Sequence, residues 1–112
     1  MIKIEAIIRP HKLDDLRVAL EELGVTGMTV SEVRGFGRQK GHHELYRGRE
    51  YTVAFQPKIK VEIAVKKDLT EKIVDAIRQT VATGQVGDGK IFIYNIVDAV
   101  RIRTGERAEE AL

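Results

Sequence analysis

Three short runs in the chain hold residue types able to do chemistry. Gly84-Gln-Val-Gly-Asp-Gly-Lys90 satisfies G-x-x-x-x-G-K, a spacing at which a glycine loop turns backbone N–H groups toward a phosphate and a lysine adds a point charge. The match is partial. Ile91 follows where Ser or Thr would reach a metal, and the run leaves a predicted helix to enter a predicted strand, the reverse of a P-loop. Gly87, Gly89 and Lys90 still suit an anion, though an ordinary glycine-rich connection has the same composition. Arg101-Ile-Arg103 sets two guanidinium groups on one face of an extended segment, which is either a fork for a polyphosphate or a solvated basic edge. Arg34-Gly-Phe-Gly37 opens like the RNA-binding RNP1 pattern, but Arg38, Gln39 and Lys40 stand where its stacking aromatics belong. His42 and His43 are adjacent, so their side chains diverge in an extended loop, and no carboxylate pattern completes a metal site around them. No Ser/His/Asp or paired-carboxylate arrangement marks a catalytic centre.

The elements around these runs repeat a β-α-β unit. Ile2, Ile4, Ala6 and Ile8 alternate with mostly polar neighbours through Arg9, as a strand requires. Pro10 breaks that ladder, Asp14 and Asp15 load the first turn of a helix, and Leu13, Leu16, Leu20 and Leu23 give it an apolar stripe that Gly24 ends. A second strand is predicted from Thr29 to Arg34. The third alternates Ile59, Val61, Ile63 and Val65 with Lys60, Glu62, Ala64 and Lys66. Asp68 and Glu71 have the spacing of a capping box, and Ile73, Ile77 and Val81 carry a second helix to Gly84. A fourth strand is predicted from Lys90 to about Ile96, with a short fifth over Val100-Arg-Ile-Arg103. Two such units in tandem predict a ferredoxin-like α+β sandwich, βαββαβ, with both helices on one face of a four-stranded antiparallel sheet.

Two features depart from a plain sandwich. The fourth strand, Ile91-Phe-Ile-Tyr-Asn-Ile96, is apolar at consecutive positions, which implies cover on both faces and hence a second subunit. The stretch from Phe36 to Gln56 is far longer than a hairpin turn, and its charged, glycine-punctuated composition suits a long exposed functional loop.

Composition narrows the classes. A 112-residue chain hides roughly 65% of its unfolded surface, enough for one core and one domain. Zero cysteines exclude a disulfide framework, a thiolate metal site and a cysteine nucleophile, and fit a reducing compartment. No signal-type or membrane-spanning apolar run is present, so a cytoplasmic protein with no membrane insertion is expected. With 19 Lys+Arg against 17 Asp+Glu and 5% aromatics, the balance does not favour nucleic acid as a partner.

Five ordered blocks resemble one family across nearly the whole chain. They are Ile4-Glu-Ala-Ile-Ile-Arg-Pro10, Gly27 to Gly41, Tyr46-Arg-Gly-Arg-Glu-Tyr51, Gly84 to Phe92, and Arg101-Ile-Arg-Thr-Gly-Glu106, and they resemble the PII nitrogen-regulatory signal-transduction proteins. The resemblance implies one domain over 1–112, a cytoplasmic homotrimer, and a non-enzymatic sensor. ATP or ADP would bind in each cleft between subunits, joined in the ATP state by Mg²⁺ and 2-oxoglutarate. The exposed loop at about 36–56 would match the family's T-loop, residues 82–90 its B-loop and 101–109 its C-loop. Gly87, Asp88, Gly89 and Lys90 would cradle phosphates, with Arg101 and Arg103 reaching in from across the cleft. Gly35, Phe36, Gly37 and Arg38 would line the nucleotide, and Thr29, Glu62 and Ala64 would lie near adenine. Gln39 would hold Mg²⁺, and Gln39, Lys40, Gly41 and Lys58 would form the 2-oxoglutarate site, Lys58 pairing with a carboxylate.

Tyr51 falls where some proteobacterial members are uridylylated, while Arg49 replaces the serine that some cyanobacterial members phosphorylate. Ala54, Gln56 and His11 also depart from common family residues, the first two in the segment implied to dock partners. Those partners would be regulated proteins such as an ammonium transporter or nitrogen-assimilation enzymes. Two other readings share the fold class: a small phosphate-handling hydrolase of acylphosphatase type, which lacks a positioned asparagine or base here, and an RRM-like RNA module, which lacks the aromatics.

Overall fold

Alternation builds the first strand. β1 (Ile2–Ile8) buries Ile2, Ile4, Ala6 and Ile8, while Lys3, Glu5 and Ile7 are half-buried on the opposite face. The computed structural model describes residues 1–37 and 55–112, together with the backbone of 43–46 and 49–52. Pro10 opens a 3₁₀ turn, Pro10–Lys12, that leads into α1 (Leu13–Glu22), whose buried residues are Leu16 and Leu20. α1 ends as the sequence predicts. Gly24 takes φ +86°, its N–H donates to the Glu21 carbonyl (3.0 Å), and the Val25 N–H donates to the Leu20 carbonyl (3.0 Å), which is a Schellman ending.

β2 (Thr29–Gly35) pairs with β5 (Gln56–Val65), and between them β3 (His43–Tyr46) and β4 (Arg49–Thr52) form a separate two-stranded sheet. The region expected as one long loop therefore contains a hairpin. Between the two strands the sequence reads Arg47-Gly48, residues outside the described set, and a glycine there is its one hairpin signal. β5 starts three residues before the predicted Ile59 and includes Pro57. It tolerates the proline because β1 pairs only with Ile59–Val65, so no β1 neighbour asks for the missing N–H.

α2 (Thr70–Val81) buries Thr70, Ile73, Ile77 and Val81. The predicted capping box does not form. Asp68 sits inside a 3₁₀ turn, Lys67–Leu69, Leu69 occupies the N-cap without a side-chain bond, and the Thr70 hydroxyl donates to the Lys67 carbonyl (2.8 Å). β6 (Lys90–Asn95) completes an antiparallel sheet ordered β2-β5-β1-β6, with the two helices packed on one side. This is the predicted ferredoxin-like α+β sandwich. The fifth strand reduces to one bridge, Val100 with Arg107, because residues 101–104 turn back instead of extending. Arg101 N–H donates to the Glu106 carbonyl (2.9 Å) and Gly105 N–H to the Arg101 carbonyl (2.8 Å), closing that turn.

The core lies between the sheet's Ile4, Ile8, Val61 and Ile63 and the helices' Leu16, Leu20, Ile73 and Ile77. Ile77→Val removes one methylene from a side chain that is 1% exposed, and should cost about 1 kcal/mol, read as an earlier midpoint in urea. An unchanged midpoint would contradict that packing. β6 behaves differently from the other strands. Ile93 shares the helix side with Ile4, and Phe92 and Tyr94 share the open side with Glu5 and Lys3, yet all three are at least 43% exposed in the single chain.

Candidate functional site

The polar end of the sheet gathers three chain segments. β2 runs out at Gly35, β5 brings in Lys58, and the connection from α2 to β6 passes alongside, leaving a cleft of about 670 Å³. Gly35, Phe36, Gly37, Lys58, Gly87, Gly89 and Lys90 all line it, with Ile7, Val86 and Phe92 as its apolar walls. Seven residues expected from the sequence are thus brought together by three separate elements.

Local physics explains the shape of the connection. Gly87 and Gly89 take φ of +103° and +106°, which side-chain-bearing residues rarely adopt. At Gly89 the loop presses on β1: a Cβ there would lie 1.7 Å from the Ile7 carbonyl oxygen. Only glycine fits that approach. Asp88, expected among the phosphate residues, directs its carboxylate inward to the loop itself. It accepts from the Thr83 hydroxyl, from the Thr83 N–H (2.7 Å), from the Gly84 N–H (2.9 Å) and from Arg9 Nε (3.2 Å). The Thr83 hydroxyl and N–H, then Gly84 N–H and Arg9, hold that carboxyl well below the usual carboxylate range, so it stays ionised at neutral pH.

Lys58 is the buried cation of the site, 8% exposed, with Nζ donating to the Gly87 carbonyl at 2.5 Å. Burial lowers its ammonium pKa from the ordinary value, the neighbouring Arg9 lowers it further, and Asp88 opposes both. The stem passes close under Gly35, where an added Cβ would meet Lys58 Cγ at 3.3 Å. Phe36 lies just past the end of β2 and its ring stands 6.1 Å from that of Phe55 at a tilt of 53°, so the two aromatics meet where the 36–56 segment begins and ends. That position also takes Phe36 off the sheet face an RNA-reading aromatic would need.

Thr29, Glu62 and Ala64 lie together on the open sheet face: Thr29 is the register partner of Glu62, and Ala64 is two residues along the same side. Arg101 and Arg103 do not line the cleft within one chain. Nor are they a fork on an extended strand. Arg101 bonds to the Glu106 carboxylate (3.1 Å) and the Leu112 carbonyl (2.9 Å), and Ile102 is fully exposed at the turn. Arg38, Gln39, Lys40 and Gly41 lie outside the described residues, and Tyr51 is described only as a backbone position in β4, paired with Glu44. Among the described residues no three His, Asp or Glu gather around a metal position. Nothing in the sequence pattern marked Arg9 or Thr83, because each acts through a partner more than four residues away.

Fold and cleft together define a ferredoxin-like α+β sandwich with a glycine-lined cleft at one end of its sheet. Comparison identifies its kind: the chain belongs to the family described as Nitrogen regulatory protein P-II, whose model it matches over residues 1–106. It is 59% identical to Nitrogen regulatory protein P-II 1 of Escherichia coli (strain K12) and 57% identical to Nitrogen regulatory protein P-II of Haemophilus influenzae, each over 112 residues and the full length of both chains. A relative of the same name in Bradyrhizobium diazoefficiens is 59% identical over the same span. The chain is accordingly a signalling regulator and not an enzyme, which removes the hydrolase reading. Among the described residues no helix is long and apolar enough to cross a membrane.

Proposed function

We propose that this protein is a cytoplasmic homotrimeric sensor that binds ATP or ADP at the glycine cleft, binds 2-oxoglutarate when Mg-ATP is present, and regulates partner proteins through its 36–56 segment. The observation that carries the reading is the convergence of Gly35–Gly37, Lys58, Gly87, Gly89 and Lys90 on one cleft. Its chemistry fits a polyphosphate. Two lysines line it, glycines leave room for backbone N–H groups to approach an anion, and Phe92 and Ile7 offer apolar cover.

Incompleteness of the single chain supports the assembly part of the reading. Phe92, Ile93 and Tyr94 are exposed in one chain, and Arg101 and Arg103, which do not line their own chain's cleft, would meet a phosphate in a neighbour's. Thr29, Glu62 and Ala64 then offer the adenine a patch with two polar side chains and one methyl. Gln39 is the chain's own candidate to hold Mg²⁺, which supplies positive charge between the phosphates and a keto acid. Lys58 would take one 2-oxoglutarate carboxylate, with Lys40 and Gly41 beside it. Tyr51 is offered as the modification site, and an ammonium transporter or nitrogen-assimilation enzymes as the regulated partners.

Lys90→Ala, Arg101→Ala and Arg103→Ala should each weaken ATP binding about tenfold or more, since each removes a charge-assisted bond of roughly 1.5–3 kcal/mol. Calorimetric titration with ATP, 2-oxoglutarate and RNA tests the reading, with light scattering for the assembly. ATP binding by a trimer, and none of RNA, is the expected result. A stable 12.6 kDa monomer, or three variants that bind ATP like the parent, would contradict it.

A further inference from the structure

Arg9 stands one residue beyond β1 and does not line the cleft, yet its guanidinium holds the glycine connection at two points. Nε meets Asp88 Oδ1 at 3.2 Å, and Nη2 donates to the Val86 carbonyl at 3.0 Å. Both partners of the ion pair keep only 22% of their side-chain exposure, so water competes weakly. Asp88 is anchored in turn by the Thr83 and Gly84 N–H groups and the Thr83 hydroxyl.

Peptide planarity gives these bonds a consequence. In a trans peptide the carbonyl of one residue and the N–H of the next point in opposite directions. An Arg9 that fixes the Val86 carbonyl therefore directs the Gly87 N–H away from itself. The next N–H, that of Asp88, is already donated to the Gln85 carbonyl (3.4 Å) within the loop, so the donor this fixation directs is that of Gly87. At Gly87, whose φ of +103° places it where backbone freedom is greatest, such fixation is needed for the donor to hold one direction.

We infer that Arg9, counter-anchored by Asp88, is a positioning residue that sets the direction of the Gly87 N–H donor before an anion arrives. The inference rests on the nucleotide reading above. It differs from a direct phosphate role in a way that can be measured. If Arg9 and Asp88 acted on the phosphates only through their charges, removing the cation would weaken ATP and removing the anion would tighten it. If they act through each other, both removals weaken it.

The test is ATP calorimetry on the full chain and on Arg9→Met, Arg9→Lys, Asp88→Ala and the Arg9→Met/Asp88→Ala double variant, each held below its own melting temperature. Amide exchange at Thr83, Gly84 and Asp88, whose N–H groups are bonded within the loop, is followed without ligand. Arg9→Met and Asp88→Ala should each weaken ATP about tenfold, and the double variant should lose no more than the worse single one. Arg9→Lys keeps the ion pair without the second bond and should recover part of the affinity. Exchange should accelerate in both single variants while the melting temperature moves little. Tighter ATP binding by Asp88→Ala, additive losses in the double variant, or parental exchange in Arg9→Met would overturn the inference and leave the nucleotide reading standing. A parent chain that binds no ATP would overturn both.

Discussion

Gly89→Ala should destabilise the fold by about 3 kcal/mol or more and weaken ATP binding by at least about a hundredfold. The added Cβ would lie 1.7 Å from the Ile7 carbonyl oxygen and 2.8 Å from its carbon, both backbone atoms of the central β1 strand. A flexible side chain could swing aside; this carbonyl cannot. Relief requires either lifting the glycine connection or opening the adjacent Ile7–Lys90 register pair, and either movement displaces Lys90 from the cleft. The backbone angle of +106° adds a further cost for any L-residue with a side chain. Gly84→Ala is the control: its φ is +85°, but among the described residues nothing lies within 4 Å of an added Cβ, so it should cost only about 1–2 kcal/mol. Urea unfolding and ATP calorimetry read both effects. A Gly89→Ala protein with the parental midpoint and affinity would contradict the close approach.

Lys58→Met should abolish 2-oxoglutarate binding, by about a hundredfold or more, while ATP is retained within several-fold. Methionine keeps the length and apolar character of the stem that passes under Gly35, so the fold is preserved. What is lost is the buried ammonium. In the structure that ammonium is bonded to the Gly87 carbonyl, and under the proposed function a 2-oxoglutarate carboxylate would be its other partner. The substitution leaves that carboxylate facing a desolvated cleft with no charge to meet it. Calorimetry with 2-oxoglutarate in the presence of Mg-ATP reads the result. Parental 2-oxoglutarate affinity would remove Lys58 from the site.

Most of the sandwich is legible because burial writes a period into the sequence. Ile2, Ile4, Ala6 and Ile8, and Ile59, Val61, Ile63 and Val65, announce strands with one buried face, and Gly24 announces the Schellman ending. Where the period fails, the reading fails with it. The hairpin inside 36–56 has strands of only four residues, too short for alternation to stand out against charged neighbours. Asp68 had the spacing of a cap but lost its place to a 3₁₀ turn, which spacing alone cannot distinguish. Arg101-Ile-Arg103 has the alternation of a strand, but Gly105 and the Arg101–Glu106 bond turn the segment back.

The site divides in the same way. Gly87, Gly89 and Lys90 were legible as types at recognisable spacing, whereas Gly35, Gly37 and Lys58 were implied as ligand residues only by the family resemblance. Arg9 was not legible, since its role depends on Asp88 and Val86, nearly eighty positions distant in sequence. Asp88 was legible as part of the motif but not in its role, because only the folded loop shows its carboxylate spent on Thr83 and Gly84.

The central claim is that 2-oxoglutarate is captured at a site this chain completes only around Mg-ATP. It is tested most directly by titrating 2-oxoglutarate into the protein with Mg-ATP, with Mg-ADP and with no nucleotide, and repeating the first titration with Gln39→Ala. The account predicts binding with Mg-ATP alone, and its loss in Gln39→Ala. Equal binding in all three conditions, or undiminished binding by Gln39→Ala, would contradict it.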